Sequence, residues 1–327
     1  TVMEAEEGGK PIAPTLNRLK QEGVYFSHLY ANSFRTDRGQ VSILSGFPAQ
    51  TRISLMKLTP KCLELPSIAR SLAREGYRTH FTYGGDINFT NQSSYMYATG
   101  WEELYWQQEM SFDAPTSKWG YDDRVVCRDL TERVIRMSEE GEPFLAGWLT
   151  LSSHEPFEVP FEKFEDKIAN SMAFTDDCLG ELVDRLKASS AWENLLLVVV
   201  PDHGMGNFRR GTWSETEIHR IPMIWTGGAV KEPRMVDAYG SQIDIAATLL
   251  AQLGIDHSDF DYSKDMLDAS LPKFGYYAYN EGFVVVDERG ESGWDAPSDR
   301  TTKGALEEHL VWGRTLLQQT YEDIARR

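Results

Sequence analysis

LLLVVVPDHG, residues 195–204, joins six consecutive branched apolar residues to a polar turn. Such a run with no polar alternation predicts a strand covered on both faces, as in a parallel sheet sandwiched by helices. Pro201 ends the run, and Gly204 permits a tight turn. Ligands of open α/β sheets bind beyond the carboxyl ends of the strands. Asp202 and His203 stand at that place, a hard anionic donor beside a borderline one, which suits a metal. An ordinary polar strand terminus would carry the same residues.

The pattern repeats on either side. Residues 78–83 (RTHFTY) read as a strand running into Gly84-Gly85-Asp86, and residues 144–151 (FLAGWLTL) as a buried strand ending at Ser152-Ser153-His154. Ile221 to Thr226 forms another, closed by Gly227-Gly228. Helical patterns alternate with these. Leu65-Pro66-Ser67-Ile68 opens a helix with Pro near its first turn. Phe174, Cys178, Leu182 and Leu186 recur at spacing four, and residues 243–253 make a helix stopped by Gly254. The expected fold class is α/β, with a largely parallel central sheet and helices on both faces. Beyond about residue 270 the texture changes to a hairpin over 274–287, a polar, turn-rich stretch over 289–304, and a last helix with Leu306, Leu310, Leu317, Tyr321 and Ile324 on one face. Residues 1–270 are read as the main domain and 271–327 as a small C-terminal α+β subdomain.

Composition bounds the function. The 327 residues are 41% apolar and 12% aromatic, as in a folded globular chain. Lys and Arg number 33 against 50 Asp and Glu, for a net charge of -17, which argues against nucleic acid as a partner. Broad adhesion to anionic lipid is disfavoured too, though a local basic patch around a phosphate site is compatible with that balance. Cys62, Cys127 and Cys178 form no CxxC pair, so neither a disulfide framework nor a zinc ribbon is expected. No apolar run has the length of a membrane span. The opening Thr-Val-Met-Glu has no initiator Met, which reads as a fragment whose membrane anchor lies in a segment absent from this chain.

Three further places would lie on the binding edge. In Ser33-Phe34-Arg35-Thr36-Asp37-Arg38-Gly39, Thr36 falls near a helix N-terminus, where backbone N–H groups favour an anion. Its hydroxyl is a candidate nucleophile, with Arg35 and Arg38 to balance phosphate charge. Thr36 or Asp37 as a plain helix cap is the other reading. His154 is a candidate proton donor to a leaving alkoxide. Asp86 and Asn91 offer hydrogen bonds to a polyol. His219, ahead of the strand at 221–226, could reach back to the metal or substrate. His28, His80, His257 and His309 are read as surface or packing residues.

Taken together, APTLNRLKQEGVYFSHLYAN (13–32), TDRG (36–39), SILSGFPAQ (42–50), YGGDINFTN (83–91), KWGYDD (118–123), LTLSSHEPFEVP (149–160), VVVPDHG (198–204), RIPMIWTGG (220–228) and GSQIDIAATLLAQLG (240–254) resemble the alkaline phosphatase/sulfatase superfamily. They are most similar to its lipoteichoic acid synthase-like, membrane-anchored phosphoglycerol transferases. The resemblance implies Thr36 as nucleophile and metal ligand, Asp202 and His203 as metal ligands, His154 at the substrate, and Asp86 on glycerol phosphate. It implies a divalent metal, typically Mn²⁺, with Mg²⁺ or Zn²⁺ in relatives. It implies phosphoglycerol transfer from a glycerophospholipid head group at the cell membrane, with the catalytic domain facing the periplasm or exterior. The family's glutamate metal ligand, at the end of a first core strand, has no counterpart within residues 1–327. Thr90, Asn91 and Gln92 stand where the phosphoglycerol enzymes carry a tryptophan and an arginine. No C/S-x-P-x-R motif surrounds Thr36, which disfavours sulfate-ester hydrolysis. The alternatives are a phosphate- or phosphonate-ester or sulfatase-like hydrolase on the same fold, and a non-catalytic binding domain that has lost its metal.

Overall fold

The computed structural model describes residues 1–205 and 211–327. Helix α1 (Pro14–Glu22) starts with Pro at its first position, where its lacking N–H costs nothing. It leads into strand β1 (Val24–Tyr30) and helix α2 (Thr36–Ser45). Helix α3 (Ile68–Arg74) is capped by the Ser67 hydroxyl, which accepts from Arg70 N–H. Strands β2 (Arg78–Tyr83) and β3 (Glu103–Trp106) precede helix α4 (Asp123–Glu140), whose cap Asp122 accepts from the N–H groups of Arg124 and Val125. Then come β4 (Phe144–Leu149), α5 (Lys167–Lys187), β5 (Leu197–Val199), β6 (Arg220–Thr226), β7 (Arg234–Ser241) and α6 (Ile245–Gln252).

The core strands lie in one layer but form two hydrogen-bonded pieces. One has the order β5-β6-β1-β7 and the other β3-β2-β4. All pairs are parallel except those of β6, which runs against both β1 and β5. One face packs Ile68 and Leu72 of α3 with Ile245, Ala246 and Leu250 of α6. The other packs Leu19 of α1, Leu130 and Val134 of α4, and the stripe Phe174, Cys178, Leu182 and Leu186 of α5. The helix face expected from that spacing is thus buried, in an α/β sandwich.

Two strand expectations need correction. Residues 144–151 and 195–200 were expected to be the most buried strands, yet β4 and β5 are only half-buried throughout. Neither has a second partner strand among the described residues, so one edge of each faces a cavity instead.

The C-terminal part contains β8 (Gly275–Tyr279), β9 (Gly282–Asp287), β10 (Gly290–Asp295), β11 (Arg300–Lys303) and helix α7 (Glu307–Arg326). The hairpin forms as expected, but the polar stretch after it supplies two more antiparallel strands. Backbone pairing decides there: Gly293 packs into the sheet, and the polar residues of β11 point to solvent. On α7 the buried stripe is His309, Gly313, Thr320 and Ile324 rather than the expected leucines. Gly313 is dictated by contact, because a methyl group there would fall 1.9 Å from the Phe283 ring.

Candidate active site

Thr36 is the first residue of α2; Arg35 before it is extended and makes no side-chain cap, so neither Thr36 nor Asp37 acts as the cap. Its hydroxyl therefore sits at the positive end of the helix. Gly39, one turn on, abuts the carbonyl of Asp202, which sets the helix start against the turn after β5. Thr36, Asp202 and His203 all line one cavity of about 2080 Å³ that also receives His154.

His203 Nδ1 lies 2.7 Å from the Gly204 carbonyl. A carbonyl only accepts, so Nδ1 carries the proton and Nε2 keeps its lone pair. That lone pair lies 3.7 Å from Asp202 Oδ2. A carboxylate oxygen and an unprotonated imidazole nitrogen turned to one point are suitable donors for a divalent ion. Among the described residues no group of three or more His, Cys, Asp or Glu is placed to hold one, so this chain's pair is a partial ligand set.

His154 is exposed on the loop after β4, and its Nδ1–H donates to the Glu155 carbonyl at 3.0 Å, leaving Nε2 available. Its ring packs on Trp119 at 4.5 Å, and Trp119 packs edge-on to Phe89 at 5.6 Å. Trp119 is pinned by its indole N–H, which donates to Glu155 O. The loop itself is clamped from below by buried Asp123, which accepts from Leu151 N–H at 2.7 Å and Ser152 N–H at 3.0 Å.

The other expected residues divide. Arg35 is exposed, lines the cavity and pairs with Asp37 at 3.3 Å. Arg38 is buried, its guanidinium over the Phe34 ring, and does not line the cavity. Burial, with Arg35 adding repulsion, pulls its pKa down. Asp86 is exposed and binds Asn88 N–H in a local turn, and Asn91 donates to Lys57 O; neither lines the cavity. His219 is turned away from solvent altogether. It is buried, stacks on Tyr277 at 3.9 Å, and both ring nitrogens face carbonyls, Ala31 O at 2.8 Å and Trp213 O at 2.9 Å. The expected reach toward metal or substrate is corrected to a brace between backbone segments.

Three cavity groups escaped sequence reasoning. Asp37 is buried with no hydrogen bond to either carboxylate oxygen, and Lys57 Nζ stands 3.6 Å away. Tyr83 ends β2, where burial and then the Asp202 charge push its hydroxyl up to about 12, so it stays a neutral donor. Trp119 carries the aromatic ledge. It lies within KWGYDD, which was the available signal, whereas Asp37 and Tyr83 offered none beyond their strand and helix ends.

The sequence model of the sulfatase family matches residues 2–255. Phosphoglycerol transferase I of Xanthomonas campestris pv. campestris (strain B100) is 24% identical over 287 residues, covering 80% of this chain and 40% of that protein. The chain thus spans less than half the length of that curated relative. An alkaline phosphatase superfamily protein from Vibrio parahaemolyticus superposes with a TM-score of 0.84 at 24% identity, over 98% of this chain and 83% of the other. The lipoteichoic acid synthase LtaP from Listeria monocytogenes superposes with a TM-score of 0.82 at 18% identity, over 99% and 89%.

Proposed function

Because the chain belongs to the sulfatase family, we propose that it is a phosphotransferase that uses Thr36 on a phosphodiester and moves phosphoglycerol from a glycerophospholipid head group. The observation that carries this reading is the meeting of Thr36, Asp202, His203 and His154 at one cavity, from three separate strand ends and one helix start.

In the first step the Thr36 oxygen attacks phosphorus and gives up its proton. The phosphorus–oxygen bond to the lipid alcohol breaks, and the leaving alkoxide takes a proton from His154. In the second, an acceptor hydroxyl attacks the same phosphorus and the Thr36 ester bond breaks. Arg35 and the N-terminus of α2 face the phosphoryl oxygens, and Tyr83 donates a neutral hydrogen bond. Asp202, His203 and Thr36 would hold a divalent ion, Mn²⁺ in the first instance. Bound there, such an ion would favour the ionised form of the Thr36 hydroxyl. Among the described residues no helix is long and apolar enough to cross a membrane. Work at the outer face of a cell membrane is proposed from the lipid donor.

The test is mass spectrometry of the Thr36 peptide after incubation with phosphatidylglycerol vesicles and Mn²⁺. A phosphoglycerol adduct on Thr36, absent from Thr36→Ala, is expected. Head-group release that persists undiminished in Thr36→Ala overturns the proposal.

A further inference from the structure

The gap between β4 and β5 is flanked by two strands of one layer. Along β4, Leu145 joins the core under α3 and α6, while Ala146 and Trp148 reach the core under α1, α4 and α5. Along β5, Val198 joins the first core and Leu197 the second. Both strands therefore alternate between the same two helix layers, as neighbours in one sheet do. Yet each is the edge of its own piece, and the cavity of about 2080 Å³ runs between them.

We propose that this gap seats one further β-strand, an extended apolar peptide segment that pairs with both edges and joins the two pieces into a single sheet. Two facing strand edges present N–H and C=O groups in register with a peptide backbone, and buried backbone groups call for such partners. An acyl chain would fill the apolar space but leave those groups unpaired. About six residues suffice to match β4, at roughly 3.3 Å each. Because β4 leads to His154 and β5 to Asp202, the strand would also fix the spacing of the two halves of the candidate site. The proposal does not depend on the reaction assigned there.

The test fuses a six-residue Val/Ile/Leu strand ahead of Thr1 through a flexible Gly/Ser linker of about 15 residues, whose span is roughly 21 Å. The control carries the same residues with a central Pro, which cannot complete the pairing. Hydrogen exchange should slow roughly tenfold or more in peptides covering 144–149 and 197–199 with the uninterrupted strand only, with a higher Tm. Equal protection in both fusions, or slow exchange already in the unfused chain, overturns the proposal. So does decanoate protecting these amides while the strand does not.

Discussion

Gly39 on the first turn of α2 approaches Asp202 so closely that a methyl group on Gly39 would fall 1.9 Å from the Asp202 carbonyl oxygen. The contact is backbone, so no side chain can swing aside to relieve it. Gly39→Ala should gain about 1 kcal/mol of helix propensity and lose about 1–3 kcal/mol to overpacking. The second effect wins, because the helix start and the turn after β5 must part. Since Thr36 rides on one and Asp202 on the other, turnover should fall at least tenfold while far-UV circular dichroism stays native. A variant that is more stable than wild type and fully active would show that the contact does not set the site.

His219 supplies a pH dependence. Burial pushes its pKa from 6.5 down to about 4, against the opposing pull of the Ala31 and Trp213 carbonyls. On acidification the unfolded chain therefore takes up this proton before the folded one. The stability it protects is complete above about pH 6.5 and is lost as pH falls toward 4. The loss is about 3 kcal/mol at roughly 1.36 kcal/mol per pKa unit. Urea midpoints at pH 7, 6 and 5 should decline in the wild type and decline less in His219→Gln. Parallel slopes in the two proteins would remove His219 as the cause.

The strand ends and the Asp202-His203 turn were legible because an unbroken apolar run meeting a polar turn has few other meanings. The stripe Phe174, Cys178, Leu182 and Leu186 was legible for a similar reason, since spacing four is the helix's own period. What could not be read was tertiary. Arg38 looks like Arg35 in sequence, but one is buried over Phe34 and the other exposed, a difference set by which side of α2 meets the core. His219 looked available because a sequence does not show that two carbonyls already face its ring. β10 and β11 were hidden because edge strands of a small sheet tolerate polar residues that read as loop.

Trp119 links the aromatic ledge to the candidate acid, touching Phe89 on one side and His154 on the other. An exposed aromatic ledge beside a phosphoester site supplies apolar contact to the substrate rather than charge to the reaction. Trp119→Phe should keep most of that contact but lose the indole hydrogen bond to Glu155. Trp119→Ala loses both. Steady-state kinetics should show KM rising about tenfold in Trp119→Ala and less in Trp119→Phe, with kcat reduced by a smaller factor. A fall in kcat at constant KM would instead assign Trp119 to holding His154 in place.

Asp123 is fully buried, and its carboxylate spans the turn that delivers His154. Oδ1 accepts from Leu151 N–H, while Oδ2 accepts from Ser152 N–H and from the Thr175 hydroxyl at 2.8 Å. Burial raises its pKa, and these same hydrogen bonds oppose the rise. Thr175→Ala removes one donor and leaves the two backbone bonds, so it should cost about 1 kcal/mol. Asp123→Asn turns an amide N–H toward a group that also donates, which strands a buried donor and should cost about 2–4 kcal/mol. The freed turn should then exchange its amides faster over residues 150–157, and kcat should fall in step because His154 loses its mount. If Asp123→Asn loses stability but keeps its kcat on the folded fraction, the clamp serves the fold alone and His154 is positioned by Trp119.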